Sequence, residues 1–504
     1  MKLFVLVAYI LMIVVVTVVT ARKSLSLNEF LLGGRNVGPW MSALSYGTSY
    51  FSAVVIVGYA GSTGWDAGLS AIWCGIGNAM VGSLVAWAML AKPTRRMGER
   101  LHVGTLPGFF EKRYDSRMLK ILSSLIIFVF LIPYSASVYK GIGTMFQMAF
   151  GFDYTLCIIA IAMLSSMYLF AGGYKATAIT DFIQGIIMLV GVVAVLFYVV
   201  RAAGGVSAGI AALGQEGIGG PGMDKLFPPV DKATWLFSNV ILTSLGVLGM
   251  PHMIHKFFAI RDESSIKRAT AISALFAVVI AGGAYFAGSF GRVILSQISA
   301  PDGVQTVADL VNQGVMPKDQ IIPTILTNTT VVGIPDAVLG LFIVLLLSAS
   351  ISTLTALVLS SASVITLDLV GTFVPNMAGK SKTLLMRSLC VVFVVLSLLI
   401  NFVMGNTPIM SLMSLSWGTI AGAFLAPFIY GLLWKGTTRA GAVAGVIAGT
   451  LISLLPPLVT GQMALAPISG AAAMLAGLVI VPLVSQFTPK TRLPKEKLAE
   501  IFGR

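Results

Sequence analysis

Residues 243–257 read TSLGVLGMPHMIHKF, inside an apolar run that extends over 234–257. Gly246, Gly249 and Pro251 fall within a turn and a half. Glycine weakens a helix interior, and proline removes an amide donor and collides with the preceding turn. Lipid offers backbone groups no hydrogen-bond partner, so a spanning helix tolerates such a break only where protein or a cavity receives the freed groups. A break of this kind near mid-membrane is the device with which carriers hold their cargo. His252 and His255 follow toward the cytoplasmic side, where a histidine reads as a satisfied polar residue at a helix end sooner than as a proton relay.

A second stretch, SALSYGTSYFSAVVIVGYAG at 42–61, carries Ser42, Ser45, Thr48, Ser49 and Ser52, with Gly47 weakening its middle. Small residues also serve close helix packing, but the density of hydroxyls favours an unwound segment whose carbonyls hold an ion. A third, LLSASISTLTALVLSSAS at 346–363, places Ser348, Ser352 and Thr355 near one face, with Thr353, Ser360 and Ser361 extending the stripe. A lone hydroxyl in a membrane helix bonds back to its own backbone; so many in one span argue for a polar lining. Hydroxyls and freed carbonyls are hard oxygen donors, suited to sodium without a buried charge.

Outward from these stretches, the 504 residues are 57% hydrophobic and only 10% charged, against roughly 25% charged in a soluble domain. The apolar runs are continuous, which selects helices over a barrel. They fall near 3–20, 40–62, 68–91, 119–148, 154–171, 178–200, 234–257, 267–291, 336–367, 384–404, 408–432, 438–456 and 464–487, giving about 13 spans of the roughly 20 residues a crossing needs. The whole chain, 1–504, reads as a single all-α integral membrane domain. Arg22, Lys23, Arg35, the cluster from Lys92 to Arg117, Arg261, Lys267, Lys380, Lys435 and the basic tail 488–504 lie in alternate loops. The acidic segment with Asp302, Asp309 and Asp319 lies in another. The positive-inside rule then places the N-terminus outside and the C-terminus in the cytoplasm. The net charge of +14 belongs to these loops, so it does not signal nucleic acid. Cys74, Cys157 and Cys390 are scattered apolar fillers without metal or disulfide spacing. The Gly- and Pro-rich loops near 202–233 and 293–335 fall outside and read as ordered lids or plugs.

The two interrupted spans lie five spans apart with opposite orientation. That pattern predicts an inverted repeat of five plus five helices, 40–200 and 234–432, with spans 1, 12 and 13 as additions. Charge inside the membrane is costly and marks function. Asp181 stands at the cytoplasmic end of span 6. Lys140 lies toward the outside of span 4, as a snorkelling lysine or as a cation that attracts a carboxylate to the outer vestibule. Tyr134, about two turns deeper, is a candidate to touch cargo.

Several segments together resemble the bacterial sodium:solute symporter family: GGYKATAITDFIQGIIML from Gly172 to Leu189, GMPHMIHKFFAI from Gly249 to Ile260, ASISTLTALVLSSASVITLDL from Ala349 to Leu369, and LNEFLLGGRNVGPW from Leu27 to Trp40. The resemblance implies the leucine-transporter fold, sodium coupling and alternating access. It implies a sodium site made by the Ala349 carbonyl, the Ser352 and Thr353 hydroxyls, and the Thr48 and Phe51 carbonyls. It also implies an ion-pathway role for Asp181 and a place for Tyr134 in the solute cavity. Around the breaks, Ser49, Tyr50, Thr243, Val247 and Pro251 join Tyr134 as solute-contact candidates. Tyr50 stands where the family's proline carriers have aspartate, and Thr243 and Val247 where they have tryptophan and tyrosine. GVLGMPH is similar to the pantothenate carriers.

The expectation is a plasma-membrane symporter that imports a small carboxylate or zwitterion with sodium, without an obligatory protein partner. Alternatives are a sodium/proline or other amino-acid symporter, and a proton-coupled carrier on the same fold. The last would need a lone carboxylate or histidine at the centre, and the middles of spans 2, 7 and 9 offer none. A channel would lack the paired breaks, and a membrane enzyme would need an acidic or histidine constellation that is not visible.

Overall fold

The computed structural model describes residues 1–21, 35–301 and 303–503. Arg22, Lys23, Asp302 and the part of the 27–40 segment before Arg35 lie outside the described residues, as do the side chains of 168–176 within the 172–189 segment. Among the described residues, nine helices are long and apolar enough to cross a membrane. The count is ten if the bent pair Val230–Gly249 and Pro251–Ala259 is one span, and Lys2–Val16 and Tyr154–Met167 are shorter apolar helices.

The principal helices are α1 (Lys2–Ala21), α2 (Pro39–Tyr50), α3 (Arg117–Phe150), α4 (Tyr154–Ala202), α5 (Val230–Leu245) and α6 (Pro251–Ala259). They continue with α7 (Glu263–Ala277), α8 (Asp336–Ser363), α9 (Gly379–Val403), α10 (Ile409–Leu433), α11 (Arg439–Thr460) and α12 (Ala466–Phe487). Burial sorts them. In their most apolar windows α10 is 94% and α8 83% buried, whereas α9 is 28% and α11 33% buried. The first two are therefore central, and the last two turn much of their surface to lipid.

Both interrupted spans are broken. α2 ends at Tyr50, Phe51 leaves helical geometry (φ −101°, ψ 89°), and helix resumes by Val54. The interruption thus falls at Phe51 and Ser52, about one turn beyond Gly47, where the sequence placed the weakness. Gly47 stays helical for a packing reason. A Cβ there would lie 2.3 Å from the Phe276 ring of α7, so its missing side chain admits α7. Downstream of α5, residues 246–249 tighten into a 3-10 turn, Met250 is extended, and α6 starts on Pro251, the axis bending by 45°. Proline suits that first helical position, where its missing amide would be unpaired anyway.

α8 is unbroken over 28 residues and packs against α2, α3 and α4. The spans expected at 154–171 and 178–200 both lie on α4, with Tyr154–Met167 and Thr177–Ala202 as its apolar stretches among the described residues. The loop at 293–335 is built, not slack. Thr306 and Asp309 form a capping box at the start of the short helix Val307–Asn312, and Ile321–Thr327 forms another helix.

Candidate functional site

The break after Tyr50 frees the last carbonyls of α2, which have no amide four residues on to receive. They face α8. Thr353 Oγ1 donates toward the Ala349 carbonyl oxygen at 2.9 Å and stands 3.2 Å from the Ser49 and 3.4 Å from the Thr48 carbonyl oxygens. Ser352 Oγ lies 2.9 Å from Thr48 Oγ1 and 3.3 Å from Ser49 Oγ. All four hydroxyl residues are buried. The result is a dry knot of oxygens from two helices in which hydroxyls satisfy one another, and the Asp181 carboxylate lies within reach of the Ser352 hydroxyl. Phe51 sits in the break itself, its ring stacked on Tyr50 at 4.3 Å. Ser49, grouped at first with the solute contacts, joins the oxygen knot by both its hydroxyl and its carbonyl.

One turn before that knot lies a charged network. Ser45 Oγ donates to Asp181 Oδ2 at 2.5 Å and accepts from Lys256 Nζ at 2.7 Å. The ammonium is 3.7 Å from Asp181 Oδ2. Three elements meet there: α2, α4 and α6. Asp181 is 1% and Lys256 2% exposed, so the carboxylate is not at an open cytoplasmic end but inside the bundle. Lys256 went unread in the sequence; its signal was a lysine between His255 and Phe257 in a helix that begins on Pro251.

The remaining candidates gather around an aromatic box. Tyr50 stacks on Trp417 of α10 (6.0 Å, 19°), and Tyr134 of α3 meets Trp417 edge-on at 5.7 Å and His252 at 5.9 Å. The Tyr50 hydroxyl donates to the Thr243 carbonyl at 2.6 Å, while the Thr243 hydroxyl turns back to Asn239 O. Val247 is buried in the 3-10 turn and Pro251 opens α6. Trp417 packs where Gly246 has no side chain; a Cβ there would lie 3.1 Å from the indole. Trp417 Nε1 and both ring nitrogens of His252 are buried without a hydrogen-bond partner. Such orphans cost free energy unless a ligand or water meets them. Sequence reasoning missed Trp417, whose only signal was an indole set among the small residues of SLSWGTIAG.

Lys140 is committed at the mouth of a vestibule. Its ammonium donates to Gly405 O at 2.9 Å and Thr407 O at 2.7 Å, and lies 3.5 Å from Asp319 Oδ2. Asp319 in turn accepts from the Ile409 amide at the start of α10 at 3.1 Å. Lys318 reaches both Asp66 carboxylate oxygens at 2.6 Å. These pairs border a vestibule of about 550 Å³ that Gln147, Tyr154 and Ser411 also line.

Broken helices paired with an unbroken hydroxyl-bearing helix define a membrane carrier of the leucine-transporter type. The same fold is found in a sodium-coupled sialic acid symporter solved in a substrate-bound, outward-open state (TM-score 0.76, 18% identity, 96% of this chain and 97% of that one). It recurs in MHP1, a nucleobase-cation-symport-1 family transporter (TM-score 0.54, 16% identity, 95% and 99%), and in MhsT in complex with L-phenylalanine (TM-score 0.54, 14% identity, 88% and 98%). Residues 30–449 match the model of the sodium:solute symporter family, and the chain belongs to that family. A sodium/proline symporter of Staphylococcus aureus (strain bovine RF122 / ET3-1) is 30% identical over 446 residues, covering 85% of this chain and 80% of the relative. Another from the same species is 29% identical over 463 residues, covering 89% and 84%. The protein is a multi-pass, sodium-coupled symporter, not an enzyme.

Proposed function

We propose that this symporter binds sodium between α2 and α8 and imports a small solute bearing a carboxylate, held at the aromatic box. The observation that carries the reading is the contact of Ser352 and Thr353 with the backbone and hydroxyl oxygens of Thr48 and Ser49. Sodium entering from outside would replace the hydrogen bonds that now join these groups, taking oxygens from Thr48, Phe51, Ala349, Ser352 and Thr353. Bridging two helices, it would favour the arrangement that receives the solute. Because binding free energies are reciprocal, the solute would then tighten sodium by the same factor.

The solute contacts are Ser49, Tyr50, Tyr134, Thr243, Val247 and Pro251, to which the orphaned donors add Trp417 and His252. Pantothenate and proline share a carboxylate. The departures at Tyr50, Thr243 and Val247 speak against proline and the GVLGMPH stretch for a pantothenate-like acid, while the sodium/proline relatives speak at least as strongly for an amino acid. Lys140 lines the vestibule as the candidate cation for attracting a carboxylate, its ammonium shared with Gly405 O, Thr407 O and Asp319. Asp181 belongs to the inner ion pathway. The repeats 40–200 and 234–432 rock about the site, in the plasma membrane, with the N-terminus outside and the C-terminus in the cytoplasm.

A proton-coupled reading has one observation in its favour. Where the sequence showed no central carboxylate or histidine, folding brings Asp181 of α4 against α2 and buries His252 at the box. Uptake of radiolabelled proline and pantothenate into proteoliposomes at fixed, equal pH separates the two. Sodium coupling requires accumulation with an inward sodium gradient and none with potassium in its place; equal accumulation in both would defeat it.

A further inference from the structure

We propose that Lys256 is a tethered cation that occupies the charge of Asp181 and so denies the carrier a second sodium site. The inference rests on the sodium-symport reading above and deepens it to the number of ions carried. Asp181 is the one carboxylate within the charged network one turn from the oxygen knot. Its environment is built for a cation: Ser45 Oγ donates to Oδ2, and Oδ1 is buried without a partner. Two carboxylate oxygens and a hydroxyl, out of water, are the hard donors sodium requires.

The cation that is present is Lys256. Its ammonium lies 2.7 Å from the Ser45 hydroxyl and 3.7 Å from Asp181 Oδ2. The pair is neutral as it stands. Adding sodium would leave an uncompensated positive charge among buried groups, and removing one charge from such a pair is strongly unfavourable for the same reason. Sodium could neutralise Asp181 only in exchange for the ammonium. Lysine is tied to α6 by its own chain and cannot diffuse away, so at equilibrium it holds the place at high effective concentration. The oxygen knot is different, because among the described residues no ammonium or guanidinium is hydrogen-bonded to its hydroxyls. Ser45 couples the two regions, since Thr48 Oγ1 points back to the Ser45 carbonyl at 3.4 Å. Among the described residues, α2 thus borders two oxygen-rich places for a monovalent cation, and one is filled by a cation the chain itself carries.

The test counts sodium ions. Radioactive sodium is titrated to saturation onto the purified full-length protein in detergent, without solute. The expected result is one ion per wild-type chain, two for Lys256→Gln, one again for Asp181→Asn/Lys256→Gln, and one for Lys256→Arg. Uptake by Lys256→Gln proteoliposomes should show a sodium Hill coefficient rising from near one toward two. Two ions on the wild type, or one on a folded Lys256→Gln, would overturn the proposal. If Lys256→Gln does not fold, the wild-type count and the zero-flux membrane potential of wild-type uptake decide it, since each sodium adds its own charge to that potential. No sodium bound to the wild type would instead defeat the symport reading itself.

Discussion

Thr353 directs one hydroxyl oxygen to two helices at once, donating toward the Ala349 carbonyl of its own helix and lying against the Thr48 and Ser49 carbonyls of α2. Thr353→Ala removes that oxygen and leaves the carbonyls without their donor. The loss of one buried polar interaction is worth about 1–2 kcal/mol. The half-saturating sodium concentration for uptake should therefore rise by roughly tenfold, while Thr353→Ser, which keeps the hydroxyl, should stay near wild type. An unchanged sodium dependence in the alanine variant would move the ion elsewhere. The aromatic box makes a separate prediction. Trp417→Phe keeps the stacking on Tyr50 and the edge contact with Tyr134 but deletes the unpartnered N–H. Solute KM should rise by roughly five- to tenfold, the loss of one hydrogen bond, with sodium half-saturation in the absence of solute unaltered. The hydroxyl residues of both clusters were legible in the sequence. Trp417 and Lys256 were not, because a single indole or lysine in an apolar run has no periodic partner to reveal what it faces.

At the scale of elements, the helices around the breaks cross at backbone distance. A Cβ on Gly64 would lie 2.1 Å from the Gly288 carbonyl oxygen, and one on Gly288 would lie 2.1 Å from that of Ala60. No side chain can retreat there, since backbone meets backbone. Gly288→Val should lower the melting temperature in detergent, at a cost of about 3 kcal/mol from overpacking. Gly282→Ala, on the same helical run, meets nothing within 4 Å and should be neutral or slightly stabilising. Equal effects of the two would mean the crossing is looser than described. Gly246, Gly249 and Pro251 announced the second break correctly, because proline and glycine act through local backbone physics. The first break was misplaced by about a turn. Gly47 is kept small by Phe276 of a distant helix, and a sequence does not distinguish a glycine that yields from one that makes room.

At the scale of the whole molecule, the mouth of the vestibule is tied by charge. Lys140 of α3, Asp319 of the 293–335 loop and the Ile409 amide of α10 form one chain of contacts. Burial raises the Asp319 carboxyl above its ordinary value, and Lys140 opposes that rise. The carboxylate protonates as the outside pH falls through the raised value, and the ion pair is then lost. Acid outside, or Asp319→Asn at neutral pH, should open the mouth. A cysteine placed at Ser411, which lines the vestibule, should then react several-fold faster with an impermeant thiol reagent, whereas a rate independent of both would show that this tie does not gate the mouth. What the sequence determined by itself was the membrane, the helical class, the two interruptions and the hydroxyl stripe, since hydropathy, helix breaking and donor chemistry are local properties of residue type. Only the tertiary structure decided which charges meet. Asp181 and Lys256 are 75 positions apart by their numbers, and Lys140 and Asp319 are farther still. Coulomb energy depends on distance in space and on exclusion from water, and the chain acquires both only when its helices pack.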